Sequence, residues 1–151
     1  MPQVIGRLLN GKPIIDVTIA DALPQPLEVN PASSFNPFQL RDYKALLDTG
    51  ADITCLCDNV VRECRIRQSG FIRMVGGLGP SLHATHIIRV GIVTGDMIQP
   101  DKAPRGIFQL EPLEAAAIRE NGWFDIIIGT DVLRNHELTL TRGGGFRLEL
   151  F

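Results

Sequence analysis

Asp48, Thr49 and Gly50 stand at the end of the apolar run Ala45-Leu46-Leu47 and lead into Ala51-Asp52-Ile53-Thr54. A strand that runs straight into an Asp-Thr-Gly turn holds one carboxylate at the floor of a cleft. A hydroxyl lies beside it, and the glycine permits the tight turn and presents an amide to the carboxylate. The chemistry open to such a group is acid–base. Hydrolysing an amide without a metal or covalent intermediate needs a water deprotonated on one side and a carbonyl oxygen protonated on the other. Two carboxylates about 3 Å apart supply both, because they cannot both ionise easily and so share a proton. The Asp-Thr-Gly turn occurs once in the 151 residues, so this mechanism requires two copies of the chain.

Ala51 has no hydroxyl with which to stabilise a charged carboxylate. Activity is therefore expected to extend towards about pH 5–7 rather than being confined to strong acid. On its own an Asp-Thr-Gly tripeptide is also a common turn, and two further segments give it context. Arg73-Met74-Val75-Gly76-Gly77-Leu78-Gly79 is a glycine-rich hairpin tip whose glycines allow positive φ and let backbone groups approach an extended ligand. Asp125-Ile126-Ile127-Ile128-Gly129-Thr130-Asp131-Val132-Leu133 is an apolar strand, a glycine and then a short helix.

The elements around these segments read as mostly β. Ten prolines and fifteen glycines punctuate short Val- and Ile-rich stretches. Strands are expected over Pro13–Ile19 after an Asn10-Gly11 turn, over Tyr43–Leu47, and over Ile53–Cys57. Two more, Phe71–Leu78 and Leu82–Val93, flank the glycine tip, and Phe124–Ile128 is a strand buried on both faces. Glu137–Thr141 and Phe146–Leu150 form a terminal hairpin about Gly143-Gly144-Gly145. The proline-rich stretch 21–40 reads as a surface loop. Asp58 is placed to cap a helical turn over Asn59–Cys64. Pro112–Glu120, with proline first, three internal alanines and Asn121-Gly122 after it, carries the signals of a helix. Thr130 is placed to cap a short helix over Asp131–His136, with His136 as a C-terminal cation. Trp123 and Phe124 are expected in the core.

Composition sets the outer limits. The length suits one domain, 1–151, with 44% hydrophobic and 21% charged residues. A net charge of −2 and scattered basic residues give no electrostatic case for nucleic acid or an anionic membrane. No apolar run approaches the ~18 residues needed to span a bilayer, and no N-terminal stretch is ordered like a signal peptide. Three cysteines, Cys55, Cys57 and Cys64, are an odd number and suit a reducing compartment. The expected location is cytoplasmic, or within a larger precursor that releases this domain. With His83 and His86 these cysteines fit no common zinc spacing, so no metal and no cofactor is expected.

The order Asp turn, glycine-rich hairpin, Ile-Gly-x-Asp helix and C-terminal strand resembles the retropepsin-like, or retroviral-type, aspartic protease family, over roughly 45–80 and 123–150. The resemblance implies an all-β, single-domain acid-protease fold with one or two short helices and an active site at a homodimer interface. It implies an endopeptidase in which Asp48 of each subunit activates one water, with Thr49 and Gly50 completing the catalytic turn and Thr49 bonding across the two-fold axis. Segment 70–93 would be a flap hairpin closing over an extended polypeptide. Ala51, Asp52, Gly76, Gly77 and Leu78 would bind that substrate, Gly76 directly and the Leu78 amide through a water. Thr130 stands where the retroviral enzymes carry an arginine. That leaves Asp52 either as a substrate-binding carboxylate, with Arg7 or Arg134 as partner, or as a structural turn residue. Pro80 departs from the usual glycine, and Val93–Gly122 is an added segment expected to hold the helix. Dimer closure through the terminal strand Phe146–Phe151 is expected, since unpaired apolar edges need a partner. The competing reading is a catalytically silent dimerisation or peptide-binding module of the same fold.

Overall fold

The structure, a computed structural model, describes residues 1–23, 41–76 and 78–151. Residues 24–40 of the expected 21–40 loop, and Gly77, lie outside the described residues; of the remainder, Asp21 is the last residue of a strand rather than loop. The described chain is built of strands β1 (Gln3–Arg7), β2 (Ile14–Asp21), β3 (Tyr43–Leu47), β4 (Cys55–Cys57), β5 (Gly70–Gly76), β6 (Gly79–Asp96), β7 (Gly106–Gln109), β8 (Leu113–Ile118), β9 (Ile126–Ile128), β10 (Glu137–Thr141) and β11 (Gly145–Glu149). Two short helices, α1 (Asp58–Glu63) and α2 (Thr130–Leu133), interrupt them. Among the described residues no helix is long and apolar enough to cross a membrane.

Hydrogen bonding runs β10-β11-β1-β6-β2-β3-β9-β4-β8, and β8 pairs back onto β6. The strands β6, β2, β3, β9, β4 and β8 thus close on themselves. Long β6 makes this possible by changing partners along its length: Thr85–Ile88 pair with β8, and Ile88–Ile92 pair with β2. Inside lie Ile15, Val17, Ile19, Tyr43, Leu56, Ile88, Val90, Ile92 and Ile126, all essentially solvent-free. Gly91 is needed where β6 passes between β2 and β7, because a Cβ there would sit 2.5 Å from Thr18 Oγ1 and 2.8 Å from Ile107 Cγ2. Asn10 and Gly11 both take positive φ, 50° and 76°, and close the two-residue turn between Leu9 and Lys12 that delivers β2.

Most expected strands appear within a few residues of their expected ends, and Tyr43–Leu47 matches throughout. The expected helix Pro112–Glu120 does not form. Its place is taken by β8, parallel to β4 on one side and antiparallel to β6 on the other. Ala115 and Ala116 are fully buried there, and their small side chains fit a strand packed between two others. The tertiary slot overrides a weak local preference for helix. The added segment therefore contributes two strands, β7 and β8, and no helix. Strands β1 and β7 were not foreseen from the sequence.

Smaller corrections follow from packing. Asp58 and Thr130 are the first residues of their helices rather than caps; Cys57 and Gly129 occupy the cap positions without side-chain bonds. Trp123 is exposed, while Phe124 packs partly against the core. β11 offers no unpaired edge, because β1 and β10 occupy its two sides and Phe146, Leu148 and Leu150 are buried. His136 lies beyond α2, where burial lowers its pKa and its Nδ1 accepts the Phe151 amide at 3.2 Å. An imidazole accepting a backbone N–H is neutral, so it does not serve as a helix-end cation.

Candidate active site

Strand β9 lies between β3, to which it is parallel, and β4, to which it is antiparallel. The turn linking β3 to β4 therefore has to pass over the end of β9, and Asp48 sits at the start of that crossing. Its amide donates to Ile128 O at 3.0 Å, which continues the β3–β9 ladder by one bond. Its carbonyl accepts Ala51 N–H at 3.2 Å, and its Oδ1 accepts Gly50 N–H at 2.8 Å. The carboxylate is thus oriented by the turn it initiates, half-buried, with Oδ2 free of protein donors among the described residues. A Cβ at Gly50 would lie 3.2 Å from Asp48 Oδ1, so glycine is what lets the amide approach this closely.

Beneath the turn, Thr130 N–H donates to Ala51 O at 2.8 Å. Gly129 is fitted directly under the crossing: a Cβ there would meet Ala51 O at 2.7 Å and Ile53 C and O at 2.9 Å. All three atoms are backbone and cannot swing aside. Thr54, fully buried, then joins the two loops through its side chain. Its hydroxyl donates to Asp131 Oδ1 at 2.8 Å and accepts Gly129 N–H at 3.2 Å, while its amide donates to Asp131 Oδ2 at 3.0 Å. In the sequence Asp131 stands out only as the aspartate of the Ile-Gly-x-Asp stretch that opens a short helix; its pairing with Thr54 spans 77 positions and leaves no local signature.

The expected site residues fall into two groups. Asp48, Gly50 and Ala51 come together with Ile128 and Thr130 in one bonded turn. Thr49 and Asp52 project from it, both exposed. Among the described residues Asp52 forms no ion pair, and neither Arg7 nor Arg134 reaches it. The second group lies on the β5–β6 hairpin, where Gly76 faces Gly79 in register and Gly79 takes the positive φ, 98°. Gly76 and Leu78 are exposed, and Gly77 lies outside the described residues. No hydrogen bond joins the hairpin tip to the Asp48 turn among the described residues.

Neighbouring thiols are not competing nucleophiles. Burial pushes Cys55 and Cys57 up to about 11, with the Asp131 and Asp125 carboxylates respectively adding to it. Burial also raises Cys64, whose Sγ lies 3.1 Å from the Tyr43 hydroxyl. His83 is bonded to Ala117 O and Ser81, and His86 to Arg67 O. Among the described residues no three metal-binding side chains converge.

No protein-family model matches the chain, and no curated protein matches it in sequence. Among solved structures it is similar to the crystal structure of a retropepsin-like aspartic protease from Rickettsia conorii. The TM-score is 0.55 at 11% identity, covering 98% of this chain and 90% of that one. At that identity the likeness is one of architecture: this chain has a retropepsin-like all-β fold, with two short helices among the described residues.

Proposed function

We propose that the chain is an aspartic endopeptidase that works as a homodimer, each subunit supplying one Asp48. The observation that carries this reading is the Asp48 turn itself. A half-exposed carboxylate is oriented by the Gly50 amide and braced from below by Gly129, Thr130 and the Thr54–Asp131 pair. Such bracing suits a group whose position matters more than its contribution to folding.

In the dimer the two Asp48 carboxylates face one another and share one proton. The ionised member takes a proton from a water as its oxygen bonds to the scissile carbonyl carbon. The protonated member gives its proton to the carbonyl oxygen, leaving a neutral gem-diol. The Asp48 that took the water proton then gives it to the amide nitrogen while the other takes one from a diol hydroxyl, so the C–N bond breaks, an acid and an amine leave, and the dyad again holds one proton. Thr49, exposed beside Asp48, is the residue assigned to bond across the two-fold axis. Asp52, Ala51, Gly76, Gly77 and Leu78 are assigned to the backbone of an extended polypeptide.

With β11 enclosed, the free edge of the terminal sheet among the described residues is β10, which is hydrogen-bonded there only to β11. It carries no proline or lysine to discourage pairing and exposes Leu140. We assign dimer closure to this edge.

Mass-spectrometric analysis of a diverse peptide library, incubated at pH 4 to 7 with wild type and with Asp48→Ala, tests the proposal. Cleavage by wild type alone is expected. A wild-type dimer that binds peptides and leaves them intact would instead favour the silent binding module.

A further inference from the structure

The hairpin of β5 and the first half of β6 has two unlike faces. Opposed residues of an antiparallel pair point to the same side, so Phe71, Arg73 and Val75 share a face with Ala84, Leu82 and Pro80. The other face is turned towards the body: Ile72 and Met74 are half-buried, and His83 Nδ1 lies 2.7 Å from Ala117 O of β8. The first face is open. Phe71 is 67% exposed, Val75 83% and Leu82 68%. Leu78 at the tip is wholly in solvent. Arg73 stands among them, exposed, with no ion pair among the described residues.

We propose that this face selects polypeptide segments in which an acidic side chain is flanked by apolar ones at alternate positions, with Arg73 as the specificity-determining residue. The inference rests on the endopeptidase reading and adds which sequences are taken. Three large apolar side chains on one exposed ribbon form a surface that gains from being covered. In an extended chain, alternate side chains point the same way about 7 Å apart, the spacing that separates Phe71, Arg73 and Val75 along β5. Whatever covers the apolar residues also takes Arg73 out of water. A guanidinium does not shed its charge, so covering it without a partner is costly. A carboxylate at the middle position removes that cost through a bidentate, charge-assisted pair. A neutral residue there leaves a desolvated cation and a basic one adds repulsion, so the face discriminates by rejection as well as by attraction.

The test compares library cleavage by wild type, Arg73→Lys, Arg73→Ala and Arg73→Glu, together with binding of the same peptides to Asp48→Ala protein. Wild type is expected to favour Asp or Glu over Ala at one subsite by about tenfold to a hundredfold, with apolar residues two positions away. Arg73→Lys keeps the direction of that preference, Arg73→Ala loses it, and Arg73→Glu turns it towards Lys and Arg. Asp48-dependent cleavage without an acidic subsite, or with one that Arg73→Glu does not move, overturns the inference and leaves the endopeptidase reading standing. If wild type cleaves nothing, the endopeptidase reading falls and binding to Asp48→Ala decides. Acidic selectivity that Arg73→Glu reverses in that background upholds the inference, and unselective or absent binding overturns it.

Discussion

Thr54 and Asp131 hold each other by two bonds, hydroxyl to Oδ1 at 2.8 Å and amide to Oδ2 at 3.0 Å, and so tie the loop after Asp48 to the loop after β9. Both Thr54 donors are buried, and the half-buried Asp131 carboxylate is the acceptor they share. Asp131→Ala is expected to destabilise the fold by about 2–4 kcal/mol, because two buried donors lose their acceptor together. Asp131→Asn, which keeps one acceptor oxygen, should cost less. Urea unfolding midpoints check this; an Asp131→Ala midpoint indistinguishable from wild type would remove the pair from any bracing role.

Gly129 and Gly76 make a matched comparison. A methyl at Gly129 would press on three backbone atoms of the 51–53 segment at under 3 Å, whereas one at Gly76 meets nothing within 4 Å. Gly129→Ala should lower stability by about 1–3 kcal/mol or more and displace the Asp48 turn. Gly76→Ala should leave the unfolding midpoint within about 0.5 kcal/mol of wild type. Any loss of peptide cleavage in Gly76→Ala would then report on substrate handling at the hairpin tip rather than on folding.

The His136 imidazole predicts a pH dependence whose sign is set. Burial holds its pKa below the ordinary 6.5, and its Nδ1 accepts the Phe151 amide. At pH above 6.5 folded and unfolded chains are both neutral here, and the full contribution to stability is present. As pH falls through the interval down to the folded value, the unfolded chain binds a proton that the folded chain refuses, so stability is lost. The urea midpoint should decline as pH falls below the ordinary imidazole value of 6.5, with a smaller decline in His136→Gln. Imidazole nitrogen shifts from NMR should show the proton on Nε2 at neutral pH; a ring already charged there would contradict this.

Closure through β10 predicts that Leu140→Lys weakens the dimer. The side chain is exposed in the single chain, so monomer unfolding should change by less than about 0.5 kcal/mol. Sedimentation velocity should show a shift towards monomer and, with it, a fall in specific activity that rises again with protein concentration. An unchanged dimer would move the interface elsewhere.

The Asp48 turn, the glycine hairpin, the Asn10-Gly11 turn and most of the strands are legible in the sequence. Each is written in residues adjacent along the chain: a short apolar run, a glycine or proline that breaks it, a side chain that can accept from the backbone two positions on. The rest depends on contacts made between distant segments of the folded chain. Ala115 and Ala116 carry helix-forming preference, yet they lie in a strand because β4 and β6 leave a narrow slot between them. Residues 146–150 read as an apolar terminal strand needing a partner, and β1 and β10 supply it within the same chain. His136 is an acceptor and not a cation because Phe151 comes to lie against it. Thr54 and Asp131 meet only once β9 has threaded between β3 and β4. In every such case the deciding neighbour is remote in sequence, and its packing outweighs a local preference of less than about 1 kcal/mol per residue.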